Sequence, residues 1–256
     1  RSAPKGASYS IGRSLALVVA IGGQMLYNKE SQFIGGSCMG SFLPSITDLL
    51  LTVLAIVPAM CFHEYAHGCV SYKLGDPSPK YDGRLSLNPL HHIDPIGALF
   101  LIFFNFGWAK PVMVNPRYYK NPKQGMALVA LAGPVANFIL ALICLIVTNV
   151  IVKTTGGSVG IGLYYVYQFF MLSALVNVGL GVFNLIPLPP LDGSKILGMF
   201  LPAKYYFKLM QFEQWGFVLL FALLAVGAFS RPLYFLRNGV ISYLDFIANA
   251  LTSFLA

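Results

Sequence analysis

Two histidines four residues apart, His63 and His67, enclose a glutamate in the run His63-Glu64-Tyr65-Ala66-His67. On a helix that spacing sets both imidazoles on one face, within reach of a single metal ion. Glu64 lies about 100° round from His63, where its carboxylate can reach a water on that ion. The chemistry open to such a set is metal-assisted hydrolysis, with Glu64 moving the proton. A catalytic zinc ordinarily takes three protein ligands and a water, so a third side chain has to arrive from elsewhere. Asp192 is the first candidate. It ends a run of thirty-eight uncharged residues, Thr154 to Leu191, and a carboxylate at membrane depth calls for a cation. His91, His92, Asp94 and Asp82 are the alternatives on the same predicted face; failing that, one of them is expected to orient a ligand histidine from outside.

The elements that must position these groups are apolar. Ile46 to Phe62, just ahead of the motif, carries Asp48 as its only charge. The 256-residue chain is 57 % hydrophobic and 10 % charged, with a mean hydropathy of +0.70, whereas a soluble domain carries roughly a quarter charged residues. These values predict an all-α polytopic membrane protein. A surface helix with two solvated histidines and a salt-bridging glutamate is the bland reading of the motif, and its apolar setting makes that costly.

Six spans are expected, over 14–27, 46–72, 124–152, within 154–187, over 214–230 and over 233–256. Residues 95–108 form a short Phe- and Gly-rich run suited to a re-entrant or interfacial segment. The first span is read as retained rather than as the core of a signal peptide. Ser45 offers an N-cap for the second, and Pro187, Pro189 and Pro190 should stop the fourth. Residues 192–212 read as a mixed loop. The chain thus divides into an N-terminal segment, 1–45, a central core, 46–200, and a pair of C-terminal spans, 201–256.

The net charge of +8 is spread as single Lys and Arg residues between apolar runs. That pattern orients helices and needs no polyanion, so no nucleic-acid partner is expected. With a cytoplasmic N-terminus, thirteen of the 17 basic residues fall on the cytoplasmic side, and only Lys29, Lys153, Arg231 and Arg237 on the other. The metal motif then faces the cytoplasm. Cys38, Cys61, Cys69 and Cys144 form no CxxC pair and read as small apolar residues. Asn137 and Asn184 are amides inside apolar helices; such groups either bond between helices or hold a substrate backbone or oxyanion. Asn105 and Asn177 are read as structural.

Three ordered motifs resemble the site-2 protease family of intramembrane zinc metalloproteases. They are the HExxH helix, the run Asn184-Leu185-Ile186-Pro187-Leu188-Pro189-Pro190-Leu191-Asp192-Gly193, similar to that family's NxxPxPxLDG pattern, and Ala132-Gly133-Pro134-Val135-Ala136-Asn137, similar to its AGPxxN segment. Gly107 to Val112 also looks like the segment between that family's catalytic helices. The resemblance covers about residues 46–200. It implies one zinc ion per chain held by His63, His67 and Asp192, with Glu64 as general base. It implies hydrolysis within or near the transmembrane segments of single-pass membrane proteins, and a minimal catalytic form without PDZ or CBS domains. A prokaryotic cell membrane suits the small size.

Competing readings are weaker. An inactive scaffold of the same fold would not need Glu64 and all three ligands. A zinc transporter would place ionisable groups along several helices, and 124–152 and 154–187 hold none. A membrane zinc protease with glutamate as third ligand has only Glu30 and Glu213 to draw on.

Overall fold

The computed structural model describes residues 9–11, 46–97, 99, 109–158 and 160–255. The expected first span, Ser45, Asn105 and most of the 95–108 segment lie outside the described residues.

Helix α1, Ile46–Lys73, carries the His-Glu-His motif. It stops where Gly75 takes φ +104°, and the Asp76 N–H turns back to the Ser71 carbonyl at 3.2 Å, a stop that favours glycine. A short helix α2, Ser78–Tyr81, and a 3-10 turn, Pro89–His91, follow. Strand β2, Val112–Val114, runs antiparallel to β1, Tyr9–Ile11, with Val112 opposite Ile11 and Val114 opposite Tyr9.

Helix α3, Pro122–Thr155, begins on Pro122 and ends at Gly156 in a left-handed conformation, the favoured order of these two residues. It is the hub of the molecule, packing against α1, against α4, Ile161–Asn184, and against two later helices, α5, Asp192–Phe200, and α8, Ser230–Leu251. Between α5 and α8 come α6, Ala203–Gln211, and α7, Glu213–Ala225. Small residues let the helices approach: Ala141, Cys144, Ala174 and Ala248 are buried with Leu145, Val178, Val182 and Leu244 between α3, α4 and α8. A second cluster seats Ala55, Ile56 and Ala59 of α1 on Val176 and Leu180 of α4. Asn149 on α3 donates to Asp245 on α8 at 3.0 Å, a polar tie in the same interface.

Among the described residues three helices are long and apolar enough to cross a membrane, Leu50–Lys73, Pro122–Thr155 and Ile161–Asn184. The last two expected spans take a different form. Helix α7 has 13 residues, about 20 Å against an apolar core of about 30 Å. Helix α8 is long enough, but Arg231, Arg237 and Asp245 interrupt it. Helix α4 ends at Asn184, ahead of Pro187, because a residue preceding proline is itself pushed out of helical geometry. The mixed loop expected over 192–212 is a correction: two nine-residue helices fill it. Within the first of them Lys195 is buried, lying 3.6 Å from Glu213 at the start of α7.

Candidate metal centre

Helix α1 turns both histidines inward, and His63, Glu64 and His67 are completely shielded from solvent. The facing wall is α3, thinned at Gly133. A Cβ there would lie 2.4 Å from His63 Nε2 and 2.5 Å from His67 Nε2, so only glycine leaves the imidazoles their room. Pro134 follows it and has no N–H for the Ala130 carbonyl. The Val129 carbonyl, one residue earlier on the same helix, accepts a hydrogen bond from His67 Nδ1 at 2.6 Å.

The third wall is the start of α5. After α4 the chain turns through Leu185–Leu191, and Asp192 opens α5 with its side chain buried. Gly193 permits the tight return, since a Cβ there would sit 2.3 Å from the Leu185 carbonyl oxygen. Asp192 Oδ2 consequently lies 3.1 Å from His63 Nε2 and 3.3 Å from His67 Nε2. The two imidazole centroids are 4.5 Å apart and nearly perpendicular. One ligand atom from each of the three residues falls within 4.8 Å of the others.

The donor set fits a metal ion. The bond to Val129 commits the His67 proton to Nδ1, so neutral His67 turns the lone pair of Nε2 toward a carboxylate oxygen. Among the described residues no group donates a hydrogen bond to that nitrogen. Two acceptors facing each other in a buried site repel unless a cation lies between them. Two imidazoles and one carboxylate match a catalytic zinc set that leaves a position open, and the Val129 carbonyl is the kind of outer partner that fixes a ligand's tautomer.

Glu64 is held separately. Its Oε2 accepts the Val112 N–H of β2 at 3.0 Å, and its Oε1 is buried without a hydrogen-bond partner among the described residues. One oxygen is anchored and the other carries no bond from a described residue.

The profile of peptidase family M50 matches residues 51–227, spanning both halves of this site. The chain belongs to the M50, or site-2 protease, family. It is 38 % identical to YwhC of Bacillus subtilis, named as a zinc metalloprotease, over 73 % of this chain and 85 % of the relative. It is 27 % identical to Rip2 of Mycolicibacterium smegmatis, also named as a zinc metalloprotease, over 93 % of this chain and 90 % of the relative. A solved site-2 protease from Methanocaldococcus jannaschii aligns over 95 % of this chain and 94 % of that chain, at 23 % identity and a TM-score of 0.44. Membership of the M50 family and three membrane-length apolar helices describe a membrane metalloprotease.

Within this M50 chain, the structure brings together His63, His67 and Asp192 and leaves the alternative ligands apart. Asp82 is exposed in the turn after α2. His91 meets the Gly83 carbonyl through Nδ1 at 2.9 Å, and His92 meets the Ser86 carbonyl through Nε2 at 2.6 Å. Asp94 accepts the N–H groups of Ile96 and Gly97. The partner that orients His67 is therefore a main-chain carbonyl, with no loop histidine or aspartate involved. The amides differ from one another. Asn184 and Asn177 each donate one amide proton back to a carbonyl of their own helix, Leu180 and Ser173, at 2.8 Å. Asn137, a turn beyond Gly133, is fully buried and lies within side-chain hydrogen-bonding reach of His63. Reading side chains missed Val112 and Val129, whose contributions are a main-chain N–H and a main-chain carbonyl. Gly133 was visible within the AGPxxN run but carried no ligand chemistry to mark it.

Proposed function

We propose that this chain is an intramembrane zinc metalloprotease that hydrolyses peptide bonds within or near transmembrane segments of single-pass membrane proteins, in a prokaryotic cell membrane and near the cytoplasmic ends of its helices. The observation that carries the reading is the convergence of His63, His67 and Asp192 beside a glutamate with one anchored and one free oxygen. His63 Nε2, His67 Nε2 and Asp192 Oδ2 would hold one zinc ion. Zinc, when bound, supplies a Lewis-acid charge that acidifies a water and polarises the scissile carbonyl.

The remaining work falls to the chain's own groups. Glu64 Oε1 takes a proton from the attacking water as the new C–O bond forms, and returns it to the amide nitrogen as the C–N bond breaks. The Val112 N–H keeps the other oxygen from turning away. Asn137, fully buried beside His63, suits the substrate backbone or the oxyanion; Asn184 has one amide proton on Leu180 and offers the other. Because the ligands and Glu64 are wholly shielded, a substrate helix must part these walls and unwind before a carbonyl reaches the site. An inactive scaffold would have no use for a free Glu64 oxygen in a buried polar site.

The test pairs zinc content with cleavage of a panel of single-pass transmembrane peptides, using reconstituted wild type, Glu64→Gln and Asp192→Ala. Wild type should bind about one zinc and cut. Glu64→Gln should keep zinc and lose roughly 100- to 10,000-fold in rate. Asp192→Ala should lose zinc. Stoichiometric zinc in Asp192→Ala would remove the third ligand, and zinc-loaded wild type that cuts no better than Glu64→Gln would return the chain to a scaffold.

A further inference from the structure

Below the metal site, the end of α1 is tied into a second buried polar knot that the proposed reaction does not use. Asp76 follows the glycine that stops α1, and its side chain is fully buried. Its Oδ2 accepts from Ser71 Oγ at 2.8 Å and from the Asn115 N–H at 2.7 Å. Its Oδ1 accepts from the Ser78 N–H at 3.0 Å. Ser71 Oγ is also 2.8 Å from the Tyr119 hydroxyl. With the Ser71 proton committed to the carboxylate, Tyr119 is the donor in that second bond. Burial pushes the Tyr119 phenol up to about 12, so it keeps its proton throughout the neutral range. The chain of donors runs one way, from Tyr119 through Ser71 to Asp76.

What the knot grips is the strand that holds Glu64. Asn115 is the residue after β2, and Val112 at the start of β2 donates to Glu64 Oε2. Val112, Val114 and Tyr119 pack with Met126 and Val129 in one buried cluster, and the Val129 carbonyl is the acceptor for His67. Gly75 already ends α1, so three bonds to one buried carboxylate exceed what stopping a helix requires. Those bonds join α1, the start of α2 and the exit of β2, and they fix where β2 stands along α1.

The geometry points to Asp76 as a positioning residue for Glu64, acting through β2 and the Val112 main chain to aim the Glu64 carboxylate. This rests on the reading of Glu64 as the proton carrier. A hydroxamic acid probes that carboxylate without a substrate, because it ligates a metal through two oxygens and sheds a proton that the adjacent base accepts. The experiment loads the full-length protein in bilayers with Co2+ and titrates acetohydroxamic acid, following the visible cobalt bands. Wild type, Asp76→Asn, Tyr119→Phe and Glu64→Gln are compared, with cobalt affinity measured separately.

Asp76→Asn should bind cobalt like wild type yet need roughly 10- to 100-fold more acetohydroxamic acid, the range seen for outer partners of metal sites. Tyr119→Phe keeps the ring and loses only the terminal donor, so its shift should be roughly 2- to 10-fold; it decides the matter if Asp76→Asn does not fold. Equal hydroxamate affinity in Asp76→Asn and wild type, with Glu64→Gln weakened, overturns the positioning role while leaving Glu64 as base. Parallel loss of cobalt and hydroxamate affinity in Asp76→Asn also overturns it, since the knot would then serve the fold alone. Wild-type affinity in Glu64→Gln removes the base itself and the proposal with it.

Discussion

The chain has 4 histidines, in two pairs, and the two pairs do different work. His63 and His67 sit a turn apart on α1; His91 and His92 are adjacent in a loop. Each pair is partly pinned by main-chain carbonyls, through Val129 for His67, Gly83 for His91 and Ser86 for His92. The separation comes at the other nitrogen. On α1, spacing and the facing carboxylate bring both Nε2 atoms to Asp192. In the loop, His91 and His92 turn to different carbonyls and, among the described residues, no carboxylate completes a metal-ligand set with them; His92 Nδ1 is buried without a hydrogen-bond partner among those residues. A pinned histidine becomes a ligand only when its second nitrogen shares a focus with other donors.

The largest effect should come from removing one member of each pair in turn. His67→Ala is expected to lower zinc affinity by more than about 100-fold, beyond the range for an outer partner, while His91→Ala leaves it unchanged by competition with a chromophoric chelator. Comparable losses in the two variants would abolish the distinction drawn here.

Glycines near each pair give a subtler contrast. Gly133→Ala drives a methyl to within 2.6 Å of the α1 imidazoles and should weaken zinc binding roughly 10- to 100-fold. Gly83, whose carbonyl meets His91, has φ +67° but an open Cβ direction, 3.9 Å from His91 Nδ1. Gly83→Ala should therefore cost about 1–2 kcal/mol of stability through its left-handed backbone, seen as a lower denaturation midpoint, with zinc affinity intact.

The smallest effect concerns protons. Burial holds His92 below the ordinary imidazole range, against the pull of its bond to Ser86. It is neutral in the fold, whereas the unfolded chain takes up a proton near pH 6.5. Its contribution is complete above that pH and is lost as pH falls toward the folded value. The fall in melting temperature on the acid side should be shallower for His92→Gln than for wild type. Matching slopes would remove His92 from the list of buried neutral histidines.

Composition and spacing alone determined the membrane class, the extent of α1 and the inward pair of histidines, because hydropathy and the 3.6-residue period are local properties of the chain. The expected 46–72 helix and the described Ile46–Lys73 differ by one residue. Asp192 could be singled out as an isolated carboxylate, but its distance from the imidazoles depends on Gly193 and the turn before it. Local pattern failed over 192–212, read as a loop, where two helices form and Lys195 is buried against Glu213, eighteen residues on. Only the tertiary structure decided which proton His67 keeps, which Glu64 oxygen is free and why position 133 is glycine. The agents there are the Val129 carbonyl, the Val112 N–H and a missing Cβ. Every residue type offers the first and every type but proline the second, so neither marks its position, and the third matters only once α3 lies against α1.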